Sequence, residues 1–266
     1  MRPAAAAPTV PRIPAGREPK FPFGQGATPP RPALHWRLFP AKFAEMGKST
    51  VKRQIVGVVS QKGGVGKSTL CHLIAREAAV SGKQVKILDF DTKQMTSTDW
   101  VRARLERALE PTIEAEPAKN IGSALKHNRG YDIIILDGAA GTPKRTAELA
   151  SACDLIVLPT GASRADLVPT LALARRIAEL KDATGDPVFA LCRISTESEA
   201  AEARATIGEA GFETLEGELV ERPGYRQAQN IGRSATETGF PSLNDKARRL
   251  ARAILDRLAW ERIPLR

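Results

Sequence analysis

The sequence predicts an α/β protein built on a doubly wound, mostly parallel sheet flanked by helices. Three features carry this reading. Beyond Gln54 the apolar residues come in short unbroken runs, which fit strands covered on both faces, not in the alternation of a half-exposed sheet. Between the runs lie stretches with helical apolar spacing. Several runs also end in a polar residue or a turn former. Such alternation of strand and helix closes into one sheet with right-handed crossovers.

Taken in order, residues 55–60 (IVGVVS) form the first strand, followed by a glycine-rich turn. The next helix shows Leu70, Leu73, Ile74 and Ala78 on one face. Residues 85–89 (VKILD), 133–137 (IIILD), 155–159 (LIVLP) and 188–192 (VFALC) are the further strands. Leu167, Leu171, Ile177 and Leu180 mark a helix between the last two. A final helix from about Asp245 gathers Ala247, Leu250, Ala251, Ile254 and Leu258 on one side. No internal repeat is visible. Open sheets of this kind bind ligands beyond the carboxyl ends of their strands, so the polar residues that close the runs are the candidate site.

A hydrophobic content of 42% over 266 residues is enough for a substantial core. Composition changes near residue 50. Residues 1–53 hold ten of the nineteen prolines, and ten Lys and Arg against Glu18 and Glu45 only; 30 basic and 28 acidic residues remain beyond them. Most of the net charge of +10 thus belongs to a Pro/Arg-rich tail, residues 1–50, which is expected to be disordered. Met46 offers an alternative start. The folded domain is expected over residues 54–259 and is nearly neutral, so DNA binding would need a local patch, not the total charge.

Cys71, Cys153 and Cys192 are far apart, with no CxxC and no Cys/His cluster at metal-ligand spacing. They read as small core residues in a reducing cytosol. His35, His72 and His127 are equally isolated and read as ordinary tail or helix residues. No run approaches the roughly 18 apolar residues of a membrane span. The first residues lack the apolar stretch of a secretory signal, and their prolines would break the helix of a transit peptide.

The turn after the first strand reads Ser60, Gln61, Lys62, Gly63, Gly64, Val65, Gly66, Lys67, Ser68, Thr69. Three glycines let the backbone turn tightly with its N–H groups aimed at phosphate oxygens, and the following helix adds its positive end. This is a P-loop: Lys62 to Thr69 are expected to hold the phosphates of ATP and a magnesium ion. Lys67 bridges the β- and γ-phosphates and the Ser68 hydroxyl ligates the metal. The strict motif wants Gly where Gln61 stands. What the chain has instead is a second lysine, Lys62, directly before Gly63.

This constellation resembles the deviant Walker family of P-loop NTPases that includes the ParA partition ATPases and the MinD division-site ATPases. The resemblance implies that Lys62 reaches across a nucleotide-sandwich homodimer to the partner's phosphates. It places Asp89 and Asp91, in ILDFDTKQ, in a switch I pair, with Asp91 orienting or deprotonating the attacking water and Asp89 supporting the magnesium shell. Asp137 resembles the Walker B aspartate that holds magnesium through water, and Gly138 to Gly141 resemble switch II. The chain departs from the family in having Thr92 and Lys93 where Pro-Gln is usual. Cys192 and Arg193 stand where relatives often supply an Asn for the adenine. Residues 154–167 resemble the segment that faces the dimer interface, and Arg222 lies in a segment near the base. The likeness covers residues 54–259 and is weak beyond Asp186.

The implied function is an ATP-dependent dimerisation switch with slow, partner-stimulated hydrolysis, which partitions or positions plasmid or chromosomal DNA. A centromere-binding partner, non-specific DNA and a cytoplasmic, nucleoid-associated location go with it. The alternatives are a DNA-transfer or division-site positioning ATPase of the MinD type, or a non-hydrolysing adaptor of the same fold. An iron–sulfur carrier would need paired cysteines, and a tyrosine kinase relative a terminal tyrosine cluster; the tyrosines are Tyr131 and Tyr225. The final helix reads first as a core helix with a solvated basic side. A DNA-contacting patch of Lys246, Arg248, Arg249, Arg252 and Arg257 with Arg226 and Arg233 comes second. A membrane helix comes last, because the apolar stripe is small and alanine-rich.

Overall fold

The computed structural model describes residues 53–138, 143–180 and 187–260. The predicted tail with Met46 and the Ala139–Gly141 part of the switch II run lie outside them. Among the described residues the chain alternates β1 (Gln54–Val58), α1 (Lys67–Val80), β2 (Val85–Asp89), α2 (Thr96–Glu106), β3 (Glu114–Pro117), α3 (Ile121–His127), β4 (Ile133–Asp137), α4 (Pro143–Ala152), β5 (Leu155–Thr160), α5 (Arg164–Ala178), β6 (Pro187–Ile194), α6 (Glu197–Glu209), β7 (Thr214–Val220), α7 (Pro223–Gln229) and α8 (Pro241–Trp260).

The seven strands form one parallel sheet in the order β3-β2-β4-β1-β5-β6-β7. The chain runs outward through β2 and β3, returns to insert β4 beside β1, and then builds the other half. Register follows from this order: Val58 pairs with Asp137, and Asp137 with Asp89, so three strands end side by side at one edge. The predicted unbroken runs are buried on both faces. Leu70, Leu73, Ile74, Trp100, Leu250 and Ile254 fill one side of the sheet, and Leu149, Leu167, Leu171, Ile177 and Ile207 fill the other.

The sequence reading missed both edge strands, because neither is apolar. β3 reads EAEP and is only half-buried. Its glutamates answer a buried lysine: Lys86 in β2 lies 3.2 Å from Glu114 and 3.3 Å from Glu116. β7 reads TLEGELV and buries only Leu215 and Leu219. The last helix begins at Pro241, earlier than the expected Asp245, with proline at the first position, where its missing N–H costs nothing. Its predicted apolar face, Ala247, Leu250, Ala251, Ile254 and Leu258, is wholly buried. Gly217, with φ of +83°, lets β7 approach the Leu250 backbone, where a Cβ would fall 2.7 Å from the Leu250 nitrogen.

Candidate nucleotide site

The P-loop joins β1 to α1 across residues 59–66. Its backbone needs glycine at Gly64 and Gly66, whose φ values are +72° and +105°. Gly66 caps α1 with no side-chain hydrogen bond, and the first turn carries no acidic residue. A helix start this bare departs from the usual preference for a polar cap. The N–H groups of Lys67, Ser68 and Thr69 have no intrahelical acceptor by helix geometry, so the positive end of α1 is open to an anion.

Two lysines serve this loop from different sides. Lys67 folds back and donates to the Lys62 carbonyl at 2.9 Å, so its ammonium lies within the loop. Burial pulls its pKa below the usual value, while the Asp137 and Asp91 carboxylates work the other way. Lys62 turns outward to α5, where it is paired with the Asp166 carboxylate and donates to the Ala165 carbonyl at 3.3 Å. That carbonyl is available because Pro169, four residues on, has no N–H to give it. Burial pushes Asp166 up, but hydrogen bonds from Lys62 and Ser163 outweigh it and hold the carboxyl below its ordinary range.

Asp89 and Asp137 end adjacent strands and are almost fully buried. Desolvation pushes Asp137 up to about 6, against hydrogen bonds from Ser97 and Ser68, with the Asp89 charge adding to the rise. The Ser97 hydroxyl donates to Asp137 Oδ2 at 2.6 Å. Asp89 is raised chiefly by burial as well. Its Oδ2 accepts from the Ser97 and Thr98 amides at 3.0 and 3.2 Å, and its Oδ1 from the Asp91 amide at 3.1 Å. Asp89 therefore caps α2 from the end of β2. The helix needs that service, since its own cap residue, Met95, is left-handed and gives no side-chain bond.

Asp91 is half-buried between these groups. Its Oδ1 accepts from the amides of Lys93 and Gln94 at 3.3 and 3.1 Å, an Asx turn that orients the carboxylate. The expected P-loop and carboxylate residues thus converge on the carboxyl ends of β1, β2 and β4. The donor set of Ser68 hydroxyl and Asp137 carboxylate is all oxygen, which fits magnesium, an ion bound by few protein ligands beside phosphate and water. Among the described residues no cluster of three or more His, Cys, Asp and Glu would hold a metal by itself.

Beside the loop lies a cavity of about 250 Å³, lined by Gly66, Thr69, Cys192, Tyr225 and Arg226 among others. A Cβ at Gly66 would fall 3.4 Å from that of Cys192, and Arg193, left-handed at φ 59°, pairs with Glu221 at 2.9 Å. The position expected to face a base therefore presents a thiol. Arg222 also lines the cavity and is exposed. All three cysteines are buried and free, as expected of core residues.

His72, read from sequence as an ordinary helix residue, is not isolated in space. It bonds Ser97 and Gln229 and stacks on Trp100 with ring centroids 4.1 Å apart. Burial pulls its pKa down to about 3. Ser97, Asp166 and Gln229 were also missed, because their partners lie on distant segments. Of the proposed basic patch, Arg226, Arg233, Arg248, Arg249 and Arg252 are exposed. Lys246 and Arg257 are half-buried and pair with Glu218 and Glu213 at 3.8 and 3.5 Å. No helix among the described residues is long and apolar enough to cross a membrane.

A P-loop that carries a second lysine, on a sheet of this order, defines an ATPase of the deviant Walker class. A family model described as ATPase MipZ matches residues 54–176. The chain is 30% identical over 174 residues to maintenance of carboxysome distribution protein A of Gloeobacter kilaueensis, covering 64% of this chain and 78% of that protein. It is 28% identical over 188 residues to protein ParA of Rhizobium radiobacter, covering 67% and 83%. The fold is that of the MinD cell division protein of Aquifex aeolicus, with TM-score 0.60 at 20% identity over 80% of this chain and 100% of that one. The chain belongs to the ParA/MinD family of ATPases.

Proposed function

We propose that this ATPase is a dimerisation switch that uses ATP to position a cargo, with plasmid or chromosomal DNA as the cargo the ParA likeness favours. The observation that carries the reading is the division of labour between the lysines. Lys67 fills the loop, whereas Lys62 leaves it and stands half-exposed on α5. A lysine needed only for the bound nucleotide would point inward. One that serves a second subunit has to be free to leave.

In this reading the α1 amides and Lys67 bind the phosphates, and the cavity beside Cys192 takes the base. Ser68 and Asp137 would hold a magnesium ion, with Asp89 fixing the loop around it. When bound, that ion supplies positive charge at the β- and γ-phosphates. Asp91 holds the attacking water by accepting its proton in a hydrogen bond, and the α2 cap keeps Asp91 in place. Hydrolysis is slow, since among the described residues Asp91 alone is placed to prepare that water, and a partner protein accelerates it. Exposed Arg248, Arg249 and Arg252, with Arg226 and Arg233, offer a non-specific DNA surface.

Cargo is set outside the P-loop. The name of one relative refers to carboxysome distribution, so a protein assembly is the second reading. Lys62→Ala tests the switch. On an Asp91→Ala background, which slows hydrolysis, light scattering with ATP and magnesium is expected to show a dimer. Adding Lys62→Ala returns the monomer mass while ATP binding persists. The physical reason is that two polyphosphates meeting face to face repel unless each receives a cation from the other side. A double variant that dimerises like Asp91→Ala alone refutes the trans role.

A further inference from the structure

Four side chains from four separate elements form a buried line behind the site. Asp137 at the end of β4 receives the Ser97 hydroxyl of α2 at 2.6 Å. Ser97 Oγ lies 2.9 Å from His72 Nε2 of α1, and His72 Nδ1 lies 2.5 Å from Gln229 Oε1 of α7. His72 is fully buried, with no carboxylate against it, so the ring is neutral and carries one proton.

The direction of every bond follows from that single proton. Ser97 has one hydrogen, and a carboxylate can only accept it, so the hydroxyl points at Asp137. Ser97 Oγ must then accept from His72, which fixes the Nε2–H tautomer. Nδ1 is left as an acceptor facing Gln229. Gln229 Oε1, itself an acceptor, faces Nδ1, while the buried Nε2 has no hydrogen-bond partner; exchanging the amide's oxygen and nitrogen gives Nδ1 a donor and Nε2 an acceptor.

We propose that His72 and Ser97 are positioning residues for the Asp137 carboxylate. His72 occupies the serine oxygen as a donor and so denies the hydroxyl any orientation except toward Oδ2. Oδ2 is thereby held and the carboxylate cannot swing, which leaves its remaining acceptor capacity aimed at the ligand side. The effect is that of an outer-shell partner on a metal ligand, and it rests on the nucleotide reading of the site. The stacking of His72 on Trp100 and the Gln229 contact keep the ring from turning.

The test separates hydrogen bonding from packing. His72→Phe keeps a ring on Trp100 and loses the donor; His72→Gln loses the ring and keeps an N–H near the Nε2 position. Manganese binding to the ADP complex, followed by electron paramagnetic resonance, is expected to weaken about tenfold in His72→Phe and to stay within about threefold of wild type in His72→Gln. The reverse order assigns His72 to packing and overturns the proposal. Should His72→Phe fail to fold, Ser97→Ala carries the same expected loss, with rescue by Ser97→Thr; equal affinity in that pair also overturns it. Nitrogen-15 histidine spectra of the nucleotide-free protein give an independent readout. They are expected to show His72 protonated on Nε2 and bare on Nδ1, whereas an Nδ1–H or doubly protonated ring refutes the relay. If wild type binds no ADP, the nucleotide reading has failed, and these spectra still decide the relay.

Discussion

Replacing Asp137 by Asn is expected to make the nucleotide-free protein more stable while it destroys nucleotide-dependent metal binding. The magnitude comes from the carboxyl itself. Its pKa of about 6 against an ordinary 3.8 is a rise of roughly two units, or about 3 kcal/mol by which folding disfavours the ionised form. For an acid raised in the folded state, the penalty is full above the folded value and absent below the unfolded one. Asn keeps an acceptor for Ser97 and carries no charge, so Asp137→Asn should gain about 2–3 kcal/mol at pH 7.5, or roughly 4–12 °C in a domain of this size. The gain should shrink as pH falls from about 6 and vanish near 4. Denaturant unfolding of both proteins without nucleotide, across that range, is the assay. A variant less stable than wild type at pH 7.5, or a difference that does not change with pH, refutes the argument.

Lys67→Ala removes the one cation inside the loop, next to the buried Asp137 and half-buried Asp91 carboxylates, and should weaken ATP binding about a hundredfold or more, read by titration with a fluorescent nucleotide. Replacing Arg248, Arg249 and Arg252 together by Ala should lower affinity for random-sequence duplex and reduce the log–log salt slope by roughly 3, if each contacts one phosphate. An unchanged slope moves the DNA surface elsewhere. Gly217→Ala combines a left-handed backbone with a backbone clash at α8, and should lower stability by about 2–4 kcal/mol in urea unfolding without changing the denaturant slope.

What could be read from the sequence was what is local along the chain. The five central strands announce themselves because burial on both faces demands unbroken apolar runs. The P-loop does so because phosphate binding demands glycine and lysine at fixed spacing. β3 and β7 were invisible for the converse reason: an edge strand can be charged or half-polar, and β3 exists to answer Lys86 from the next strand. Asp166 stood in a segment already singled out, yet its partner Lys62 lies 104 residues earlier. His72 fails the same way, since Ser97, Asp137 and Gln229 come from three other elements and only the sheet order brings them together. Asp89 was expected in the metal's support; what the sequence could not show is its use as the cap of α2, because the Ser97 and Thr98 amides that it accepts from lie eight and nine residues on.

The contact between Lys62 and Asp166 is suited to a switch because it is weak where it needs to be. The ammonium is 43% exposed, so water and salt screen it and the pair is held at little net gain. Pro169 adds the freed Ala165 carbonyl, a neutral acceptor that steers the lysine without binding it strongly. A buried pair would be costly to open, because the carboxylate left behind would be stranded without solvent. Asp166 keeps Ser163 as a donor at 2.7 Å after Lys62 departs, which limits that cost. A polyphosphate brought up by a second subunit offers several negative charges against the single one on α5. In the proposed dimer the lysine therefore changes partner when ATP arrives from across the interface, and returns to Asp166 when the subunits separate.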